Sequence, residues 1–494
     1  MKSHPIMVGA DIELSNFIAG RDGRSDDIAS RLVHAHLLEE GEEEPLEERL
    51  GRLRGYNIND IGRKWLASGA CVYLDCDHLE ICPPMTQGAW EQVHALHALL
   101  SRVRKAVEEA QKVVPDGQTL VVSTDACDRL GNSWGPHCNF YICRECFQGI
   151  LEDKPYLLSL VASHLASSVC FTGSGKLGRE LDTPPAGFQK AQRPDHFVCL
   201  KSATTMSPGR GIVNTRDESF SPADMARLHV IYFDAAISPR AALLRLGTTQ
   251  LLLAMIHEGL VPLRVLLRDP VRDGQIFSRD VASERAVLTA GGERLTDVNL
   301  QRILCDAARA FVDEGRAEDV VPEAARIVRL WDETLTLLER RDYDRLDLDW
   351  VLRLRFLERY RETHGLGWDS AELRAQDVLF AAMTETGPLW TMLEDGILDR
   401  YLDRNRIEHL KEYPTGESRD YFRGMMLRYA RPFVRDVDWD HLSLRVPGRL
   451  PWSGRDVTLQ LRDPLGNTFR HSGHHFATPE EAEKFVRMLK DLCS

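Results

Sequence analysis

Apolar positions recur along the chain at two spacings, and each spacing predicts its element. Over residues 90–114 they fall at Val93, Leu96, Leu99, Leu100, Val103 and Val107, the three-and-four interval of an amphipathic helix that Pro115 stops. Further helices are expected over residues 323–340 and from Asp349 onward. A last helix opens with Thr478, Pro479 and Glu481, a capping box with proline at the first helical position, and is expected to bury Phe485, Met488, Leu489 and Leu492. Strands are predicted where apolar and β-branched residues cluster over shorter runs: 4–14 around Ile6, Val8 and Ile12, 70–75 (ACVYLD), 227–234 (RLHVIYFD) and 457–463 (VTLQLRD). The run EEGEEEPLEE at 39–48 is too charged to bury and, with Gly41 and Pro45, too broken for a helix, so a mobile acidic loop is expected over about 37–58. The closing strand and helix predict a small C-terminal domain, residues 416–494, separated from a large domain, 1–415, in the Gly/Pro-bearing stretch 414–424.

Composition narrows the class without naming an activity. With 494 residues, 43% hydrophobic and 28% charged, the chain can bury a large core and is not disordered. No apolar run approaches the ~20 residues of a membrane span. The opening MKSHPIMVGADIEL has no apolar signal core before a cleavage site, so a cytoplasmic protein with no membrane partner is expected. A net charge of −13 argues against general binding to nucleic acid. The 11 cysteines, spread from Cys71 to Cys493, are expected as reduced thiols. The tight group Cys138, Cys143 and Cys146 contains a C-x-x-C pair and, with Cys127, offers zinc donors, but no second C-x-x-C or H-x₃-H follows at the usual spacing.

The candidate chemistry lies on the strands. A spacing of two puts Asp11 and Glu13 on one face of the first strand. Adjacent carboxylates repel unless a cation lies between them, so the pair reads either as a metal site or as a solvated strand face. The run at 70–75 opens into Asp75, Asp77 and Glu80 with His78 among them, either an active-site strand end or an ordinary polar turn. His94 and His97 share a helix with no carboxylate partners in the pattern and read as packed or surface histidines. Three polar clusters follow: GNSWGPHCNF at 131–140, presenting Ser133, His137 and Asn139; TGSGKLG at 172–178, leading into GFQKAQRPDH at 187–196; and NTRDE at 214–218. Carboxylates and neutral imidazoles hold a divalent cation while arginine forks onto phosphate oxygens, so the set fits a nucleotide-and-metal site. Leu177 after Lys176 breaks the G-x-x-x-x-G-K-[ST] pattern and excludes a P-loop.

Together these segments resemble the Pup ligase and depupylase (deamidase of Pup) family, over nearly the whole chain. The family's G-x-E-x-E opening resembles GADIE at 9–13, and its Y-[LV]-D-x-x-x-H-P-E segment resembles Tyr73-Leu74-Asp75 with His78-Leu79-Glu80. Its G-x-S-Y-G-x-H-E-N-Y turn resembles residues 131–140. Its I-I-N-T-R-D-E and R-R-L-H-V-I blocks are matched almost letter for letter by residues 212–218 and 227–231, the most specific signal in the chain. DWVLRLRFLERY at 349–360 and TLQLRDP at 458–464 are also similar to family segments. Four departures mark a divergent sequence: Asp11 for glutamate, Asp125-Ala126 for paired asparagines, Cys138 within H-E-N and Leu79 within H-P-E.

The resemblance implies a glutamine-synthetase-like α+β fold. A large, mostly antiparallel curved sheet would cradle the site with helices outside it, and a small C-terminal unit would cover a nucleotide, with Trp452 or Arg455 near the adenine. It implies ATP (or ADP plus phosphate) and Mg²⁺ as cofactors, and a Pup-like protein modifier with modified proteins, or a peptide substrate, as partners. Asp75 would be the catalytic carboxylate; Asp11, Glu13, Glu80, His137 and His196 would hold metal; Thr215, Arg216, Arg227 and Arg423 would contact nucleotide and phosphate. TGSG at 172–175, GFQ at 187–189, YFRG at 421–424 and the acidic insertion look more like depupylases than ligases. The expected reaction is therefore hydrolysis of an amide or isopeptide bond at the side-chain carboxyl of the modifier's C-terminal Gln or Glu. The alternatives are an ATP-dependent ligase working through a γ-glutamyl phosphate and a pseudoenzyme that binds nucleotide and modifier without turnover.

Overall fold

The computed structural model describes residues 4–20, 26–37, 45–53, 61–180, 183–184, 186–206, 208–384, 387–447 and 454–492. Its main sheet is organised around Met7–Ala19 (β1), a 13-residue strand. The other strands are Ile61–Trp65 (β2), Cys71–Asp75 (β3), His78–Cys82 (β4), Thr119–Ser123 (β5), Pro136–Cys143 (β6), Cys199–Ser202 (β7), Gly211–Asn214 (β8) and Met225–Val230 (β9). They lie in the order β2-β3-β4-β1-β6-β9-β8-β7, with β5 on the far half of β1. Every pairing is antiparallel except β8 with β7. The fold is α+β, as expected.

Alternation assigns the two faces. Val8, Ala10, Ile12 and Leu14 of β1, Val72 and Leu74 of β3, Leu79 and Ile81 of β4, and Cys138, Phe140 and Ile142 of β6 are all buried. Most of them join one large core with the helices Ala89–Gln111, Pro155–Thr172 and Pro239–His257. The predicted helices are present, with His94 and His97 packed inside rather than exposed: His97 Nε2 lies 3.0 Å from the Ile237 carbonyl, and His94 Nδ1 lies 2.7 Å from that of Trp90. Pro155–Thr172 is long and apolar enough to cross a membrane by composition, yet 83% of it is buried within the protein.

Two expectations need correction. Residues 38–44 and 54–60 of the acidic segment lie outside the described residues, but Leu46–Leu53 within it forms a helix. Pro45 starts this helix instead of breaking it, since its carbonyl accepts from the Glu48 and Arg49 amides, and Leu46 and Leu50 pack against the main core. The C-terminal helix is Pro479–Leu492, with the Glu481 amide donating to Thr478 Oγ1 at 3.2 Å. Its buried stripe is Ala482, Val486 and Leu489, with Phe485 partly covered, while Met488 is 48% exposed, because an i, i+4, i+7 row points Met488 away. This helix packs with Val434–Val437 (β10), His441–Val446 (β11) and Arg455–Gln460 (β12) around a second, smaller core that includes Tyr421, Phe422, Met426 and Leu444.

Several buried charges elsewhere in the large core are closely paired. Arg353 bridges Asp125 (2.5 Å) and Asp377 (2.9 Å), and Arg129 contacts the same two carboxylates. Replacing Arg353 with Met leaves two nearly buried acids with Arg129 as the one cation still paired with them among the described residues. We expect a loss of about 3–5 kcal/mol in urea-induced unfolding, as for other broken buried pairs. A change under about 1 kcal/mol would show that the network contributes little to stability.

Candidate active site

The register of β1 brings the acidic strands together on the face opposite the core. Glu13 pairs with Glu80 of β4, which pairs with Tyr73 of β3, so Asp75, two residues on, shares that face. On the other side Asp11 pairs with His137 of β6, and Asn139 pairs with His229 of β9, two residues beyond Arg227. Across the sheet the order therefore runs from carboxylates on β3, β4 and β1, through imidazoles on β6 and β9, to Arg227 on β9 and Arg216 just past β8. Asp75 is held at the tip of the β3–β4 hairpin by a two-residue turn in which Cys76 and Asp77 both have positive φ (47° and 69°). A left-handed non-glycine residue costs about 1–3 kcal/mol, so this turn is held under strain.

These groups line one cavity of about 390 Å³. The C-terminal region closes it with Arg419, Asp420, Arg423 and Trp439. Arg423 pairs with Asp420, sits 4.0 Å over the Trp65 ring and donates to the Asp438 carbonyl at 2.7 Å. The neighbouring Gly424 packs so close that a Cβ there would lie 2.6 Å from the Ala67 carbonyl oxygen, which explains the glycine of YFRG. Asp420 also accepts from the Met85 amide at 2.7 Å, tying the helix Asp420–Tyr429 to the sheet.

The ionisation states follow from crowding. Burial pushes the Glu80 carboxyl well above its usual range, and the neighbouring Asp11, Glu13 and Asp75 push it further. Burial also opposes ionisation of Asp11, but the His137 hydrogen bond (3.2 Å) and the nearby His137 and Arg227 side chains win and hold it well below the usual carboxylate range. Asn139 donates to the other Asp11 oxygen at 2.6 Å. Burial, then Arg227 and His137, keep His229 neutral.

Two donor groups result, Glu13–Asp75–Glu80 and Asp11–His137–His229, each with ligand atoms within 4.8 Å of one another. Both fit a cation. The first is three crowded oxygens, a donor set suited to Mg²⁺. In the second, both ring nitrogens of His229 are buried without a hydrogen-bond partner among the described residues.

The structure thus gathers Asp11, Glu13, Asp75, Glu80, His137, Arg216, Arg227 and Arg423 around one cavity. It does not place Thr215 or His196 there. Thr215 ends a backbone ladder, its amide donating to the Ser202 carbonyl at 3.0 Å. His196 is drawn off by Glu180, 3.6 Å away, in a buried cluster with Lys176. Arg455 opens β12 opposite Val446 and does not line the cavity, and Trp452 lies outside the described residues. Sequence reasoning missed His229 and Tyr73. The period of two from Arg227 and from Asp75 was the available signal for them.

Comparison with known proteins places the chain in a family. The family pattern described as Pup-ligase protein matches residues 18–443. A Pup deamidase/depupylase of Mycolicibacterium smegmatis is 30% identical over 434 residues, covering 86% of this chain and 82% of that protein. A Pup–protein ligase of an Arthrobacter species is 32% identical over 415 residues, covering 82% and 87%. Among solved structures, the ligase PafA in complex with the prokaryotic ubiquitin-like protein Pup superposes with a TM-score of 0.78 at 20% identity, covering 98% of this chain and 92% of that one. PafA in complex with ADP gives 0.72 at 21% identity, covering 92% and 96%. The chain therefore belongs to the Pup ligase and depupylase family.

Proposed function

We propose that the chain is a nucleotide- and Mg²⁺-dependent hydrolase of the amide or isopeptide bond at the side-chain carboxyl of a Pup-like modifier's C-terminal residue. The observation that carries this reading is the juxtaposition of Asp75 with Glu13 and Glu80, on the same sheet face as Arg216 and Arg227. The direction toward hydrolysis rests on the depupylase-like segments 172–175, 187–189 and 421–424. A relative named as a depupylase and an ADP complex of a structural neighbour support the substrate class and the nucleotide.

In this reading Arg216 and Arg227 fork onto phosphate oxygens. Glu13, Glu80 and the Asp11–His137–His229 group hold the cations, which supply positive charge over developing negative charge when bound. Asp75 lies at the acidic end and takes the proton of the attacking water. Its hairpin turn fixes the carboxylate so that the base is positioned before substrate arrives.

The test is mass spectrometry of a Pup-type peptide ending in Gln, incubated with protein, ATP and Mg²⁺. Conversion of the terminal Gln to Glu is expected, falling by about 10²–10⁴-fold in Asp75→Asn. No conversion, with ADP and an isopeptide formed instead from a Glu-ended peptide and a lysine amine, would replace hydrolase by ligase; neither product would leave a binding protein.

Arg216 is exposed, so Arg216→Met should leave the fold intact. It should weaken ADP binding by about 1.5–3 kcal/mol, read by calorimetry, and an unchanged affinity would remove Arg216 from the phosphate site.

Glu80 gives a pH-dependent test. Its raised value means that the protonated acid favours the metal-free fold below the ordinary glutamate range, and this contribution is lost as pH rises through the folded value. Without divalent ions the melting temperature should therefore decline with rising pH more steeply in the wild type than in Glu80→Gln. Mg²⁺ should raise it most at the upper end, because metal binding needs the ionised carboxylates. Parallel pH profiles for the two proteins would show that Glu80 does not carry the shift.

A further inference from the structure

The C-x-x-C pair takes no part in the site described above, yet it sits in a cavity of its own. Cys143 is the last residue of β6, and Cys146 follows it by one turn. The Cys146 amide donates to Cys143 Sγ at 3.4 Å, and His257 Nδ1, at the end of the helix Pro239–His257, lies 3.4 Å from the same sulfur. A cavity of about 460 Å³ is lined by both cysteines and by His257. The other charged or titratable groups facing it are His4, Tyr141, Arg144, Glu145, Asp224 and Glu258. The remaining cysteines of the tight group do not join this pair. Cys138 points into the core on the opposite strand face, and Cys127 is buried elsewhere. Among the described residues no third metal-type donor gathers close enough with both sulfurs to form a cation site.

We propose that Cys143 and Cys146 are a redox-active dithiol, oxidised by hydroperoxides to an intramolecular disulfide. The Cys143 thiolate attacks the terminal peroxide oxygen and breaks the O–O bond, giving a sulfenic acid and releasing the other oxygen as hydroxide, or as alkoxide from an organic hydroperoxide, which is protonated from His257. The Cys146 thiol then displaces the sulfenic oxygen as water, so that two thiols lose two electrons and the peroxide gains them. His257 takes up the proton that Cys143 loses. The asymmetry of the pair suits these roles. The Cys146 thiol donates to Cys143 and, against burial, holds it down at about 5 with help from the Cys146 amide and His257, while the same contact and burial push Cys146 up. Cys143 is half-buried at the cavity, whereas Cys146 lies deeper, as an attacking and a resolving thiol should.

The test treats the full-length protein with hydrogen peroxide and maps its peptides without reduction. The expected result is a peptide containing residues 143 and 146 that has lost two hydrogens and regains them with dithiothreitol. In Cys146→Ser a dimedone adduct should appear at Cys143, and in Cys143→Ser none should form at Cys146. At neutral pH, Cys143 should alkylate at least about tenfold faster than Cys199, which is also half-exposed, and His257→Ala should reduce that advantage. Absence of the disulfide in the wild type, equal alkylation rates of Cys143 and Cys199, or stoichiometric zinc lost on replacing either cysteine would each overturn the assignment.

Discussion

The acids and imidazoles on the sheet face of the cavity owe their place to the pairing register of β1. That strand is flanked by β4 on one side and β6 on the other, and its odd-numbered residues carry Asp11 and Glu13. Because side chains alternate, a slip of one residue would send both acids into the core and turn Ile12 and Leu14 toward the cavity. The buried set on the even positions makes that slip prohibitive, since each fully buried aliphatic side chain is worth about 1.5–3 kcal/mol. The hydrophobic face thereby fixes the chemical face, and the acids of β3 and β4 and the imidazoles of β6 and β9 align with it through the ladder.

The same constraint explains why the charges in the cavity differ from those in the scaffold. Lys176 meets Glu180 and Asp195, Lys190 meets Asp297, and Arg353 meets two aspartates. These are buried groups whose opposite partners share the same volume, as burial of charge requires. In the cavity Glu80 has three carboxylates for neighbours and His229 has no hydrogen-bond partner for either ring nitrogen among the described residues. Such an arrangement is unfavourable for the empty protein and favourable once a cation is bound. The scaffold holds it in place because each acid sits on a strand whose other face is packed.

Short-range pattern made much of this legible in the sequence. Alternation placed Asp11 beside Glu13, and helical spacing located the helix that runs Ala89–Gln111. What escaped depended on partners far along the chain. His196 has the residue type of a ligand, but Glu180 and Lys176 draw it into the scaffold. His229 looked like part of an ordinary strand until the register with Asn139 brought it to the cavity. Met488 and Val486 are both apolar on one helix, and only the position of the small sheet decides which is buried. Leu46–Leu53 is helical despite its charge because Leu46 and Leu50 find the main core.

Alternation also sorts the departures from the family pattern. Cys138 falls between His137 and Asn139, and Leu79 between His78 and Glu80, so both point into the core while their neighbours do not. Substitution there alters packing and leaves the cavity wall as it was. Asp125 lies away from the cavity, locked to Arg129, Arg353 and Gln192, so its charge is balanced within the scaffold. Asp11 is the one departure that reaches the site. Its shorter side chain keeps one oxygen on His137 and the other on Asn139, so the carboxylate is held by β6 at the point where the acidic and imidazole halves of the sheet meet. Divergence at the two core-facing positions therefore stays out of the cavity, and a changed specificity would have to act through a single carboxylate one methylene shorter than the glutamate of the family pattern.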